Sequence, residues 1–162
     1  MADKDIKELV VPGNARTPEQ YQKMVETAAR GECVLCVGEH NIIREGKYWR
    51  FKETDPPYKH HMHHFLIMTR EHITDINMLT PEMSQELFEI IQWAIKEYNL
   101  PGGGIVMRFG DPDYNAGTVR HLHVHIQVPD LTGLAKATFA KDDEAKVRQE
   151  ARLKSFQQEK KP

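Results

Sequence analysis

Cysteine is scarce in this chain: Cys33 and Cys36 are the only two in 162 residues, too few and too close together for the disulfide framework of a small secreted domain. Long apolar runs are absent as well. No segment approaches the roughly 18 consecutive apolar residues that a membrane-spanning helix needs, and Met1 to Glu8 contains no apolar leader core. Charge of one sign is also lacking, since 22 Lys and Arg stand against 24 Asp and Glu for a formal charge of −2. No bulk attraction therefore draws the chain to a nucleic-acid polymer or an anionic membrane, and any phosphate recognition must be local. These absences lead to the expectation of a cytoplasmic protein with neither partner. A hydrophobic content of 40% is enough for one ordinary core, expected over 1–140, with a charged helix or tail over 141–162.

What is present first suggests an α+β order. Thr17-Pro18-Glu19-Gln20 pairs an N-cap hydroxyl with proline at the first helical position. Tyr21, Met24, Val25, Ala28 and Ala29 then repeat at helical spacing until Gly31, which predicts a helix over about 18–30. Asn41–Arg44 and Tyr48–Lys52, separated by Glu45-Gly46-Lys47, read as a hairpin. Phe65–Met68 reads as a central strand covered on both faces. Thr80-Pro81 opens a second helix whose Met83, Leu87, Ile90, Ile91, Ala94, Ile95 and Tyr98 share a face, with Pro101 and three glycines beyond it. Ile105–Phe109 and His121–Val128 are further strands, joined by a loop rich in turn formers.

The sharpest pattern is His121-Leu122-His123-Val124-His125-Ile126-Gln127-Val128. The two-residue period of a strand sends the imidazoles to one face and the apolar side chains to the other. A neutral imidazole is nucleophilic near pH 7, but alternating histidines also make metal ligands, so spacing alone leaves both chemistries open. Arg120, alternating with His121, is expected to point away.

The triplet resembles the signature of the histidine triad hydrolases and transferases. Supporting context comes from the apolar strand ending at His72, the capped second helix and the Gly117-Thr118 element. The resemblance implies a histidine triad fold, with an antiparallel sheet of about five strands and two main helices. It also implies that His123 attacks the α-phosphorus of a nucleotide, adenine being the expected base, and forms a nucleotidyl-histidine that water or another acceptor resolves. Gly117, Thr118 and His125 become the expected phosphate-binding residues, His125 also sharing in catalysis, and the protein is expected to be a homodimer. Many members carry Gln where this chain has Gly117, and Pro-Arg where it has Pro129-Asp130. The Ala116-Gly117-Thr118 variant resembles the branch containing dinucleoside polyphosphate phosphorylases, whose acceptor is phosphate.

Cys33-Val34-Leu35-Cys36 offers two thiolates at zinc-knuckle spacing and needs two more ligands; a buried or redox pair is the other reading. Zinc-bearing histidine triad proteins and galactose-1-phosphate uridylyltransferases resemble the pattern, which implies structural zinc on Cys33, Cys36, His72 and His121. The run His60-His61-Met62-His63-His64 offers imidazoles that could bind metal but reads as a solvated, Pro-flanked segment; the resemblance aligns His64 with a family histidine preceding the strand, while His60, His61 and His63 lie in what reads as an insertion and have no assigned role. Ile42, Trp49 and Phe51 serve equally as pocket walls or core. Besides the nucleotidyl enzyme, two alternatives stay open: a noncatalytic nucleotide-binding module, and a protein whose triplet is itself the metal site.

Overall fold

The computed structural model describes residues 8–139 except 16, 39, 55 and 56, so the segment expected over 141–162 lies outside the described residues. Helix α1, Pro18–Ala29, begins as its residues dictate: the Thr17 hydroxyl accepts the Gln20 amide at 3.1 Å, and Pro18 occupies the first turn, where a missing N–H leaves nothing unsatisfied. It ends where Gly31 adopts φ +75°, a left-handed conformation open to a residue without Cβ. Met24, Thr27 and Ala28 are buried while Tyr21 and Ala29 are exposed, so the apolar face is narrower than the expected stripe.

Five strands, β1 (Arg44–Glu45), β2 (Trp49–Glu53), β3 (His61–Thr69), β4 (Gly104–Met107) and β5 (His123–Pro129), form one antiparallel sheet in the order β1-β2-β3-β5-β4. With α1 and α2 (Pro81–Glu97) this is the expected α+β architecture. Three boundaries differ from expectation. The first hairpin arm is short, although the Ile43 amide extends its pairing to the Phe51 carbonyl at 2.9 Å. β3 starts four residues early, because His61, His63 and His64 pair with Pro129, Val128 and Gln127 across a bulge. β5 starts at His123, so His121 lies before the strand.

Trp49, Phe51, Phe65, Ile67, Val124, Ile126 and Val128 pack with Leu87, Ile90, Ile91 and Ala94 of α2 into the main core, and each such side chain contributes roughly 1.5–3 kcal/mol by leaving water. The Trp49 indole N–H donates to the Met83 carbonyl at 2.8 Å, which fixes helix against sheet. Trp49 and Phe51 are therefore core, not pocket wall. Ile95, expected on this face, is 43% exposed because it falls on the flank of the helix. On the other face of the sheet, Met68 stands opposite His123, Leu66 opposite His125 and His64 opposite Gln127, since cross-strand partners share a side.

Candidate active site and metal centre

The reactive face is built from backbone outward. His123 Nδ1 lies 2.6 Å from the His121 carbonyl oxygen. A carbonyl only accepts, so Nδ1 carries the proton and Nε2 the lone pair. His125 is buried, its ring centroid 5.0 Å from that of His123 and nearly perpendicular to it. Its Nδ1 is 2.8 Å from Nε2 of His64, which is fully buried and lies against the Tyr58 ring at 3.8 Å.

That placement corrects the reading of the histidine run as a loop segment. His61–His64 belongs to β3, because each ring can be satisfied there. His61 Nδ1 meets the Lys59 carbonyl at 2.9 Å, His63 Nδ1 meets Glu53 at 3.2 Å, and His64 meets His125. His60, just outside the strand, meets the Thr132 hydroxyl at 3.0 Å. The resemblance sets His64 apart from its neighbours but does not foretell its contact with His125, which depends on strand pairing.

A cavity of about 400 Å³ opens on this face, with Tyr58, His64, Leu66, Thr118, His123 and His125 in its walls and Thr17 and Gln20 of α1 at its rim. Gly117 and Thr118 are held there by the N-terminal segment. Val10 bridges Val119, the Val11 amide donates to the Thr118 carbonyl at 2.8 Å, and the Asn14 amide group donates to the Gly117 carbonyl at 2.8 Å. The Gly117 N–H donates to the Asn115 side-chain oxygen at 2.7 Å, and a Cβ at Gly117 would meet that oxygen at 2.8 Å. A side chain at this position would therefore have to displace the Asn115 amide from the Gly117 N–H. Arg120 is not turned away: it precedes β5, escapes strand alternation, and lines a second cavity of about 320 Å³ beside His121 and His123. Arg108, which gave no sequence signal, lines both cavities.

Cys33, Cys36, His72 and His121 come together with their donor atoms all within 4.8 Å of one another. Sulfur-to-nitrogen separations are 3.5 Å for Cys33–His121, 3.3 Å for Cys36–His121 and 3.4 Å for Cys36–His72. Zinc bonds of about 2.3 Å to sulfur and 2.0–2.1 Å to nitrogen at tetrahedral angles would set sulfur and nitrogen about 3.5 Å apart, so the donor set fits. His121 Nε2 faces the Thr69 carbonyl at 2.8 Å and its hydroxyl at 2.9 Å, which leaves Nδ1 as the metal-facing lone pair. Burial pushes the Cys36 thiol up to about 11, with Cys33 adding to the effect, and burial holds His121 down at about 4. Without a cation these groups stay neutral; a dication makes the thiolates favourable.

The family model described as scavenger mRNA decapping enzyme C-term binding matches residues 33–139. The chain belongs to this family of histidine triad proteins. Similar solved structures include a zinc-bound histidine triad family protein from Mycobacterium smegmatis, with a TM-score of 0.49 and 23% identity over 79% of this chain and 97% of that one. A HIT family hydrolase from Legionella pneumophila Philadelphia 1 gives a TM-score of 0.49 and 20% identity over 66% and 100%. Diadenosine triphosphate hydrolase from Plasmodium falciparum, in complex with cyclomarin A, gives 0.46 and 24% over 76% and 80%. No curated protein matches the chain significantly. In this histidine triad chain the three histidines occupy two different places. His121 belongs to a Cys2His2 structural zinc site, while His123 and His125 face the cavity. Among the described residues no helix is long and apolar enough to cross a membrane.

Proposed function

We propose that the chain is a nucleotidyl hydrolase or transferase that cleaves a phosphoanhydride or phosphoramidate bond at the α-phosphorus of a nucleotide, adenine being the expected base. The observation that carries this reading is the 2.6 Å contact between His123 Nδ1 and the His121 carbonyl, which commits the Nδ1 proton and makes Nε2 the nucleophile. In the first step Nε2 forms an N–P bond while the bond from phosphorus to the leaving group breaks, its electron pair going to that group. In the second, water or phosphate attacks phosphorus, the N–P bond breaks and its pair returns to Nε2, and the proton of an attacking water is released to solvent. His64 donating to His125 Nδ1 orients His125 with its Nε2–H toward the phosphoryl oxygens, where negative charge accumulates; the Thr118 hydroxyl is the other expected donor. Gly117 contributes a side-chain-free wall rather than an amide, since Asn115 holds its N–H.

Zinc takes no part in these steps; Cys33, Cys36, His72 and His121 would hold it, and the His121 carbonyl that orients His123 belongs to one of them. His123→Ala is expected to lose all measurable turnover of diadenosine triphosphate and adenosine phosphoramidate with zinc content and thermal midpoint unchanged. Turnover near wild type in that variant would refute the reading. A homodimer in the cytoplasm is part of the same proposal. β4 ends the sheet, with Ile105 53% and Phe109 65% exposed at that edge, and pairing with a second copy would cover it. A monomer by light scattering would remove the dimer.

A further inference from the structure

Arg108 follows β4 and is half-buried. Its Nε is enclosed without an acceptor, and Nη2 donates only to the Thr138 carbonyl at 3.1 Å. Its guanidinium carbon sits 5.6 Å from the Phe139 ring centroid. Arg30, Arg50 and Arg70 each pair with a glutamate, but among the described residues no carboxylate pairs with Arg108. Burial alone pulls its pKa down. Among the described residues this half-buried cation has no counter-charge, and an anion entering the cavity would supply one.

The position of the side chain indicates which anion. The two cavities share Arg108, Gly117, Val119 and His123, so Arg108 and the proposed nucleophile both belong to the wall where the cavities meet. The smaller cavity adds Arg120. Its carboxylates, Asp75 and Asp111, each accept a backbone amide, from Asn77 at 2.8 Å and Asp113 at 3.0 Å, which draws part of their charge toward the chain. We infer that Arg108 is a phosphate clamp at the junction of the two cavities and that the substrate spans both. The nucleoside and the attacked phosphoryl group lie in the larger, and at least one further phosphoryl group lies in the smaller, against Arg108 and Arg120.

This inference rests on the nucleotidyl-transfer reading and narrows it to phosphoanhydrides. When the bridging P–O bond breaks, its electron pair goes to the departing phosphate oxygen, and no proton need accompany it at neutral pH. A planar guanidinium fork binds such an oxygen pair in two-point fashion. A phosphoramidate releases an amine, which needs a proton and gives the smaller cavity no anion to hold.

The test compares kcat/KM for diadenosine triphosphate and adenosine phosphoramidate in wild type, Arg108→Gln, Arg108→Lys and Arg120→Gln. Calorimetry of inorganic tripolyphosphate is run alongside, on His123→Ala and on His123→Ala combined with each arginine change. Arg108→Gln is expected to lower kcat/KM for diadenosine triphosphate about a hundredfold, the scale of losing one donor to developing charge, and Arg108→Lys to lose less. Arg120→Gln is expected to lower the ratio of the two kcat/KM values about tenfold, and tripolyphosphate is expected to bind at least tenfold more weakly without Arg108. Unchanged ratios together with unchanged tripolyphosphate binding would overturn the clamp. If Arg108→Gln does not fold, Arg108→Lys and Arg120→Gln decide by the same readings. Tripolyphosphate binding that depends on Arg108, in a protein that forms no nucleotidyl-His123, would keep the clamp and discard the transfer reading.

Discussion

At His123 a backbone carbonyl selects the chemistry, because the proton held on Nδ1 determines which nitrogen can attack. At His125 the neighbour is another imidazole, His64, at 2.8 Å, which can donate or accept, and the proposed function requires it to donate. His64→Phe keeps the ring against Tyr58 but removes the donor. It is expected to lower kcat roughly 10- to 100-fold, the usual scale for losing such an outer partner, with little change in KM, and His64→Gln is expected to recover part of the loss. Steady-state kinetics check this; equal values for His64→Phe and wild type would contradict the assignment. The sequence singles out His123 through the resemblance carried by the histidine triplet, because spacing alone leaves nucleophile and metal ligand open and the structure places His121 before the strand. It sets His64 apart by resemblance without showing its contact with His125, and it conceals Arg108, because a single arginine after a strand carries no pattern until the fold places it in a cavity wall.

The two main helices are legible from their ends and period: Thr17 and Thr80 cap them as hydroxyl acceptors, and α2 presents Met83, Leu87, Ile90, Ile91 and Ala94 to the sheet. β3 is less legible, since its polar first half resembles loop until its rings find cross-strand and backbone partners. The first hairpin is fixed by a contact that no local rule foretells. The Glu86 carboxylate of α2 accepts the amides of Lys47, Tyr48 and Trp49 at 3.0 to 3.3 Å. Glu86→Ala leaves these donors without that acceptor and is expected to destabilise the fold by about 1–3 kcal/mol. Urea denaturation measures it, and an unchanged midpoint would show that the hairpin stands without α2.

For the whole molecule, zinc determines how stability depends on pH. In the zinc-free protein His121 titrates at about 4 when folded and near its ordinary 6.5 when unfolded. The unfolded chain therefore binds more protons between these values, and stability falls as pH drops through that window, by roughly 3 kcal/mol in full. Cys36 acts at the other end: its folded value of about 11 lies above the ordinary 9, so the unfolded chain ionises first and stability falls as pH rises from 9 toward 11. Chelated protein is thus expected to have its highest thermal midpoint between about 6.5 and 9, and zinc to raise that midpoint. A midpoint indifferent to added zinc would contradict the metal assignment. The account's central claim is the covalent step at His123, and intact-protein mass spectrometry after acid-free quenching with diadenosine triphosphate tests it most directly. The account predicts a nucleotidyl adduct on the wild type and none on His123→Ala; an adduct that persists in the variant, or product formed with no adduct at any time point, would contradict it.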